Sequence, residues 1–350
     1  MMHTAPLELA PAQDTGAHAV MEQASGENFP VAMRVLSRVH RRRLLAVYGF
    51  ARLADELGDE LAGDRLAALD WLERELDRAY AGSARHPLLV YLQQTLAECA
   101  LPRGVFVRLI DANRLDQRSQ RYESWEQLQA YCSLSANPVG ELVLGVFELA
   151  SPGRIELSDR VCTALQLVEH IQDVGEDVRR GRYYLPAQDL ARFDCSHEQI
   201  ERLCAQGGHD LDLKGVPAVS PTPSGDFSGR SDRLRQAIAF EVARARALLA
   251  AGLPLVAAVH GRPKLALAGF VAGGEAALEA IERADFDVLG AVARPSIRQR
   301  VQLMASMLAR SRSRWTDESS LDDSRGRSSG PCQDEVETSA DTASPTPPPQ

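Results

Sequence analysis

The chain contains two short acidic patches, DELGD at residues 55–59 and DVGED at residues 173–177. Each patch begins and ends with an aspartate, so its two aspartates are four residues apart. Apolar residues at spacings near 3.6 flank both patches, and this periodicity predicts helices. On a helix, carboxylates four residues apart share a face and repel each other. Because the chain repeats this arrangement, we predict a divalent cation between the patches, and Mg²⁺ is the obvious candidate.

The second patch lies within a longer charged segment. Glu169 precedes Asp173 by one helical turn, so Glu169, Asp173 and Asp177 form one acidic stripe. Arginines follow at once in the sequence RRGR at residues 179–182. Arginines beside magnesium-binding carboxylates suit the recognition of a diphosphate. For one patch alone, a solvated helix face with paired charges is an equal alternative, but two patches in apolar surroundings favour the metal interpretation.

Two further side chains precede the first patch at helical spacing. Arg52 lies one turn before Asp55, and Tyr48 lies one turn before Arg52, so these residues share one stripe. Arg52 could pair with Asp55 or bind a phosphate oxygen. Glu56 and Glu60 point away from this stripe, and we expect them to be solvated.

Composition narrows the class of protein. The 350 residues include 45% hydrophobic and 25% charged residues, an ordinary globular balance. The net charge of −9 argues against nucleic acid as a partner. The six cysteines are scattered without a CxxC pair, which indicates a reducing compartment. No stretch of about 18 uninterrupted apolar residues is present, so we expect a cytoplasmic protein with at most peripheral contact with the inner face of a membrane.

The pattern is helical almost throughout, and alternating β patterns are nearly absent. Capping residues and prolines indicate the boundaries. The predicted helices cover residues 62 or 64 to 80, 87 to 99, 102 onward, 124 to a break at 137–138, 143–149, 158 through the second patch, 231 onward, 264–284 and 296–309.

These patterns divide the chain into three parts. Residues 1–24 form a flexible leader, and residues 25–310 form one catalytic domain. Within it, glycines and prolines predict an internal loop at residues 205–230. Residues 311–350 are rich in serine, aspartate and proline, and this composition predicts a disordered tail.

Longer motifs around both patches resemble a known family. They are DELGD at residues 55–59, QDVGEDVRRGRYYLP at residues 172–186, and a middle signature running from Arg114-Leu115-Asp116 through Tyr131-Cys132 to Val139-Gly140. With them the chain resembles the squalene/phytoene synthase family, the head-to-head branch of the class I isoprenoid synthases, over about residues 25–310. The resemblance implies an all-α fold of the class I isoprenoid (terpenoid) synthase type, with antiparallel helices around a central apolar cavity.

Within that family, three features are similar to the hydroxysqualene synthase branch of bacterial hopanoid biosynthesis. They are ENFPVA at residues 27–32, NPVG at residues 137–140, and Gln172 before Asp173. Phytoene synthases tend to carry asparagine and arginine at the positions of Glu169 and Gln172. Relatives usually carry an Arg-x-Tyr stretch where this chain has two glycines, at residues 273–274.

The residue chemistry and the resemblance together give a predicted site. The metal ligands are Asp55, Asp59, Glu169, Asp173 and Asp177. The diphosphate-binding arginines are Arg52, Arg179, Arg182 and Arg294, with Arg298 and Arg300 as further candidates. The catalytic residues are Tyr48, Arg52, Asn137 and Tyr183, with Phe29 and the apolar faces of the helices around Phe106 and Val139–Phe147 as additional parts of the cavity wall.

The resemblance implies that presqualene diphosphate and water are converted to hydroxysqualene and diphosphate, with two or three Mg²⁺ ions bridging the diphosphate. NADPH is not expected, because in this branch water captures the cation that a squalene synthase reduces with hydride from NADPH. No GxGxxG signal follows a strand, although such enzymes can hold nicotinamide without one. A presqualene diphosphate synthase and a flavin-dependent reductase are the implied pathway partners. One alternative is a presqualene diphosphate, squalene or phytoene synthase that condenses two prenyl diphosphates. Another is a catalytically inactive helical bundle that binds prenyl lipids or a partner enzyme.

Overall fold

The computed structural model describes residues 36–207, 227–290 and 299–308, and these segments are almost entirely helical. They contain no β-strand, and their only β-type pairing is a single bridge between Arg121 and Tyr183. The helices are α1 (Arg38–Asp55), α2 (Arg65–Tyr80), α3 (Pro87–Cys99), α4 (Arg103–Asp116), α5 (Trp125–Ser135), α6 (Asn137–Val146), α7 (Pro152–Gln172), α8 (Val174–Arg179), α9 (Ala187–Ala191), α10 (His197–Gly207), α11 (Phe227–Gly252), α12 (Pro254–Ala257) and α13 (Gly261–Arg283). Residues 299–308 are also helical. The prediction of an all-α fold is confirmed.

Several helix starts follow the predicted capping signals. Asp64 caps α2 by accepting a hydrogen bond from the backbone N–H of Ala67 at 2.9 Å. Ser124 caps α5 in the same way through the N–H of Gln127, at 3.4 Å. Helix α3 begins at Pro87, as predicted. These side chains satisfy backbone donors that a helix leaves open in its first turn.

Four helices begin earlier than predicted, and one of them is α13, which begins at Gly261 instead of residue 264. Helix α6 begins at Asn137 instead of residue 143, and α7 begins at Pro152 instead of Ser158. Both starts place a proline in the first turn, where its missing N–H costs no hydrogen bond. Helix α11 begins at Phe227, four residues before its predicted start.

Parts of the predicted domain organisation lie outside the described residues. This holds for the leader at 1–24, the tail at 311–350 and the middle of the internal loop. The two ends of that loop are helical instead, because residues 205–207 belong to α10 and residues 227–230 belong to α11.

The core packs α7 against α6, α11 and α13. Helices α5 and α6 run antiparallel to α7, as two contacts show. The ring of Tyr131 lies 6.1 Å from the ring of His170, and Asn137 accepts a hydrogen bond from Thr163 at 3.0 Å. As the chain advances from 131 to 137, its partner positions on α7 therefore decrease from 170 to 163.

The longest helices are α11, with 26 residues, and α13, with 23 residues. Charged side chains interrupt the apolar residues of both. Within the described segments, no helix combines the length and hydropathy that crossing a bilayer requires.

Candidate active site

The first acidic patch lies where α1 changes its winding. Asp55 is the last residue of α1, and Glu56–Glu60 form a π-helical turn. The N–H of Leu61 donates to the carbonyl of Glu56 at 3.1 Å, which is the i to i+5 bond of a π turn. The prediction of one regular helix across this patch is therefore wrong. Such turns occur frequently at functional sites.

Helix α4 holds this turn in place. The Asn113 side-chain nitrogen donates to a carboxylate oxygen of Asp55 at 3.2 Å, and Gln117 donates to the carbonyl of Gly58 at 2.9 Å. A Cβ atom on Gly58 would overlap the Asn113 side chain, so this close approach requires glycine. Sequence reasoning missed Asn113 and Gln117, because no local pattern links them to a patch more than 50 residues away.

Arg52 is paired within the same segment. Its guanidinium donates to Glu56 at 3.2 Å and to Glu60 at 3.0 Å. Glu56 and Glu60 are thus partly exposed ion-pair partners and not merely solvated side chains, as the sequence led us to expect.

The second patch spans a break between two helices. Helix α7 ends at Gln172, Asp173 caps it with φ −100° and ψ 8°, and α8 follows. Backbone hydrogen bonds continue across the break, from Asp173 to Glu169 at 2.9 Å and from Asp177 to Asp173 at 2.8 Å. The predicted order of the three acids along one stripe is thus kept, although the helix itself is interrupted.

Arg182 joins the two patches. Its guanidinium donates to both carboxylate oxygens of Asp59, at 3.0 Å and 2.5 Å. Paired donors of this kind match the geometry of a carboxylate and give the strongest class of side-chain hydrogen bond. The contact brings the end of the second motif onto the first patch across 123 residues of sequence.

Asp116 adds a further carboxylate to this junction. The Tyr131 hydroxyl donates a hydrogen bond to a carboxylate oxygen of Asp116 at 2.8 Å. Burial raises the pKa of Asp116 to about 7, and Asp59 and Asp55 add to the rise, whereas Tyr131 and Arg182 oppose it. Asp116 belongs to the middle signature of the sequence, but the sequence motifs do not predict its place at the site.

The pKa of Asp177 is raised as well. Burial raises its pKa to about 7, and the neighbouring charge of Asp173 adds to the effect, while Arg182 and Arg180 oppose it. Burial and the charge of Asp173 thus disfavour the ionised form of Asp177, and a cation bound beside it would favour that form.

The segment after α8 directs neighbouring side chains to opposite sides, as an extended chain does. Tyr184 is buried and stacks on His170, with ring centroids 3.7 Å apart. Tyr183 points the other way, where Arg121 lies 4.4 Å from its ring and Glu201 accepts its hydroxyl proton. Tyr183, which we predicted to be catalytic, therefore does not line the large cavity described next.

A cavity of about 820 Å³ lies between α5, α6, α7 and α13. Its body is mostly apolar, and its lining includes Val139, Val143, Leu165, Leu267 and Phe270. One end is polar, and we call this end the mouth; it is formed by Glu169, Gln172, Asp173, Glu176 and Arg179. The predicted apolar cavity beside an acidic patch is present.

Two arginines and two glycines also contribute to the cavity lining. Arg179 is exposed and donates to the carbonyl of Gly175 at 2.9 Å. Arg300 lines the cavity too, and its buried Nε has no hydrogen-bond partner in the described segments. Gly273 and Gly274 line the opposite wall, and a Cβ atom on Gly273 would meet nothing within 4 Å.

Some predicted residues lie elsewhere. Asn137 is buried, and because its side-chain oxygen accepts from Thr163 it joins α6 to α7 and is not part of the cavity lining. Tyr48 is half-buried on α1, also away from the cavity lining. Phe106 packs edge-on against Phe50 in the core, with ring centroids 5.0 Å apart. Arg294, Arg298 and Phe29 lie outside the described residues.

Comparison with known proteins places these features in a family. The family model for squalene/phytoene synthase matches residues 23–304. The chain belongs to the squalene/phytoene synthase family. The resemblance noted from its motifs is confirmed.

Individual relatives of this squalene/phytoene synthase family member are similar over part of their length. The hydroxysqualene synthase of Rhodopseudomonas palustris is 37% identical over 55% of this chain and 65% of that protein. That of Zymomonas mobilis is 38% identical over 49% of this chain and 61% of that protein. The chain thus matches less than two thirds of the length of these relatives.

Solved structures confirm the class I isoprenoid synthase fold. A crystal structure of squalene synthase HpnC from Alicyclobacillus acidocaldarius is 40% identical, with a TM-score of 0.66 over 78% of this chain and 95% of that chain. A dehydrosqualene synthase structure has a TM-score of 0.69 at 19% identity, over 85% of this chain and 96% of that chain. At that identity the second likeness concerns the fold alone.

The squalene/phytoene synthase family processes prenyl diphosphates and typically uses a divalent metal, and the donors at the two patches fit such an ion. They are carboxylates, which hard cations prefer. No group of three or more His, Cys, Asp or Glu side chains in the described segments is arranged around one point. Mg²⁺ usually takes only one or two protein carboxylates and completes its shell with phosphate oxygens and water, so the patches suit an ion shared with a diphosphate.

Proposed function

We propose that this chain converts presqualene diphosphate and water to hydroxysqualene and diphosphate in a Mg²⁺-dependent reaction. The observation that carries the proposal is the apolar cavity of about 820 Å³ whose mouth contains Glu169, Asp173 and Arg179. A substrate with a long hydrocarbon body and a charged end matches this distribution of apolar and polar walls. The relatives named hydroxysqualene synthase support the choice of reaction.

The diphosphate of the substrate binds at the mouth, between the two patches. The residues that would hold the metal are Asp55, Asp59, Glu169, Asp173 and Asp177. The bound ions would neutralise negative charge on the leaving diphosphate and so favour its departure. Bridging of both patches by one charged group is supported by the contact between Arg182 and Asp59, which already brings them together.

Arginines assist the departure of the diphosphate. Arg179 at the mouth and Arg300 in the cavity wall present guanidinium groups to it. Arg182 and Arg52 are held by carboxylates, so each must release a carboxylate oxygen to bind the substrate. Arg294 remains a further proposed contact. Tyr48 and Tyr183 act, on this proposal, only if substrate binding moves them toward the cavity.

The apolar walls protect the carbocation that remains. Ionisation leaves a cyclopropylcarbinyl cation, which rearranges inside the cavity before one water molecule captures it. Val139, Val143 and Leu165 exclude bulk water from this space, and the face of Phe270 can stabilise positive charge. Asn137 orders the wall by holding α6 against α7.

The other reactions of the family are the second candidate. The crystal structure that is 40% identical is described as a squalene synthase, and a 15-cis-phytoene synthase and a presqualene diphosphate synthase are also relatives, at 31% and 34% identity. On the leading proposal, one partner enzyme supplies presqualene diphosphate and a flavin-dependent reductase consumes hydroxysqualene.

Product analysis decides between these candidates. The purified chain is incubated with Mg²⁺ and either presqualene diphosphate or farnesyl diphosphate, with and without NADPH. We expect hydroxysqualene from presqualene diphosphate alone, with no effect of NADPH. Turnover of farnesyl diphosphate as sole substrate, or squalene formed only with NADPH, would establish the second candidate instead.

A further inference from the structure

Ser135 provides one of the few polar groups in the largely apolar part of the cavity wall. It is the last residue of α5 and lines the cavity together with Ala136 and Val139. Its hydroxyl is buried and has no hydrogen-bond partner within residues 36–207, 227–290 and 299–308. A buried hydroxyl without a partner is unfavourable, so such groups in native proteins usually bind water or a ligand.

Gln166 provides a second polar group on the facing helix. It also lines the cavity, and its amide nitrogen lies 3.3 Å from Nε2 of His170. His170 is fixed in turn by its stack on Tyr184. The carboxamide of Gln166 is thus anchored at one end, and its oxygen makes no other hydrogen bond to the described part of the chain.

The antiparallel packing of α5 on α7 brings these two positions opposite each other. Tyr131 meets His170, and Asn137 meets Thr163. Ser135 lies one turn after Tyr131, and Gln166 lies one turn before His170. Both therefore fall between the two observed contacts, on the wall that faces the cavity.

This pair is separated from the mouth by only one or two turns of α7. Gln166 precedes Glu169 by three residues and Asp173 by seven. Around the pair the lining is largely aliphatic or aromatic, as at Val139, Leu165 and Phe270, and its other polar side chains, Ser158 and Cys162, contact each other at 3.9 Å. A water molecule at this depth would have two polar partners and no access to bulk solvent once a substrate fills the mouth.

We infer that the Ser135 hydroxyl and the Gln166 carboxamide bind the single water molecule that captures the rearranged carbocation. This inference rests on the proposed function and assigns the residues that determine its product. Both are positioning residues, because they act on the cation only through the water they hold.

The step is balanced without a further reactant. A lone pair of the water oxygen forms the new carbon–oxygen bond to the cation. The resulting oxonium loses one proton to the diphosphate released at the mouth. The step involves no oxidation or reduction. Hydroxysqualene and diphosphate therefore account for all atoms of presqualene diphosphate and water. If the water is absent, the cation instead loses a proton from carbon and gives a hydrocarbon.

A matched pair of variants tests the inference. Ser135→Thr keeps the hydroxyl, whereas Ser135→Val has nearly the same shape without it. Ser133→Val is the control, since Ser133 lies on the same helix, outside the cavity, and donates to the carbonyl of Ala130 at 2.6 Å. Each variant is incubated with presqualene diphosphate and Mg²⁺. Diphosphate release, the ratio of hydroxysqualene to hydrocarbon, and the melting temperature are measured.

We expect Ser135→Val to lower the ratio of hydroxysqualene to hydrocarbon by about fivefold, the effect of losing one hydrogen bond. Diphosphate release should change by less than about twofold, since ionisation does not use this group. Ser135→Thr and Ser133→Val should resemble the wild type. An unchanged ratio in Ser135→Val, or an equal loss of diphosphate release, overturns the inference. Absence of hydroxysqualene in the wild type overturns the proposed function itself and is recognised before any variant is compared.

Discussion

At the scale of single residues, charge determines how the site is assembled. Arg182 binds Asp59 through both carboxylate oxygens, and Asp116 lies close enough for both groups to alter its pKa. The sequence predicted the acids and arginines as chemical types. It could not predict their partners, because an ion pair between residues 123 positions apart is determined by the fold. Arg52 shows a different limit: its partners Glu56 and Glu60 are close in sequence, yet the helical stripe predicted Asp55 or a phosphate oxygen instead.

Asp116 makes stability depend on pH. Its folded-state pKa of about 7 exceeds the value of about 3.9 for an unfolded aspartate. Between these values the folded state binds more protons than the unfolded state, so the contribution of Asp116 to stability falls as pH rises from about 4 to about 7. Replacing Asp116 by asparagine removes the destabilisation that deprotonation of the buried carboxyl causes.

We therefore expect Asp116→Asn to raise the unfolding free energy at pH 8 by at least about 1 kcal/mol, after allowance for partial solvent exposure. At pH 4 the gain should disappear. Denaturant unfolding in EDTA at both pH values measures the difference. Asp111→Asn is the control, because Asp111 is a partly exposed carboxylate on the same helix that pairs with Arg114, so its replacement should not raise the unfolding free energy at pH 8. A gain that is equal at both pH values would contradict the assignment.

At the scale of helices, local signals predicted some boundaries and missed others. The caps at Asp64 and Ser124 are local, so they could be identified from the sequence. Pro152 was missed because a proline followed by glycine is also typical of a loop. The π turn at Glu56–Glu60 was missed because it depends on Asn113 and Gln117 of another helix.

Replacing Gly58 or Gly104 by alanine should change the unfolding free energy in opposite directions. In Gly58→Ala the new methyl group overlaps the Asn113 side chain, so we expect a loss of about 1–3 kcal/mol in unfolding free energy and lower activity. In Gly104→Ala, on α4, the methyl group meets nothing within 4 Å, and a gain of up to about 1 kcal/mol is expected from helix propensity. Denaturant unfolding compares them; equal stability of the two variants would argue against a tight fit at Gly58.

At the scale of the whole molecule, the cavity connects sequence to function. The resemblance predicted a cavity, and the glycines at residues 273–274 marked a departure from relatives. Only the fold shows that both glycines line the cavity wall and that the space beside each of them is different. A Cβ atom on Gly274 would lie 2.6 Å from Leu165, whereas one on Gly273 would meet nothing within 4 Å. Spacing in the sequence cannot distinguish these neighbours.

Gly273→Leu should therefore reduce the cavity without unfolding the protein. The added side chain occupies space that the hydrocarbon body of the substrate requires, and we expect kcat/KM for presqualene diphosphate to fall by at least about tenfold. The melting temperature should be unchanged or higher, because leucine favours a helix more than glycine does. Steady-state kinetics and thermal unfolding test this, and an unchanged kcat/KM would place the substrate elsewhere.

The most direct test of the central claim is calorimetric titration with inorganic diphosphate, with and without Mg²⁺. The claim is that both acidic patches bind one metal–diphosphate group. We expect saturable binding that requires Mg²⁺ and weakens by at least about tenfold in Asp55→Asn and in Asp173→Asn. Binding that is indifferent to Mg²⁺, or that survives both substitutions at wild-type affinity, would contradict it.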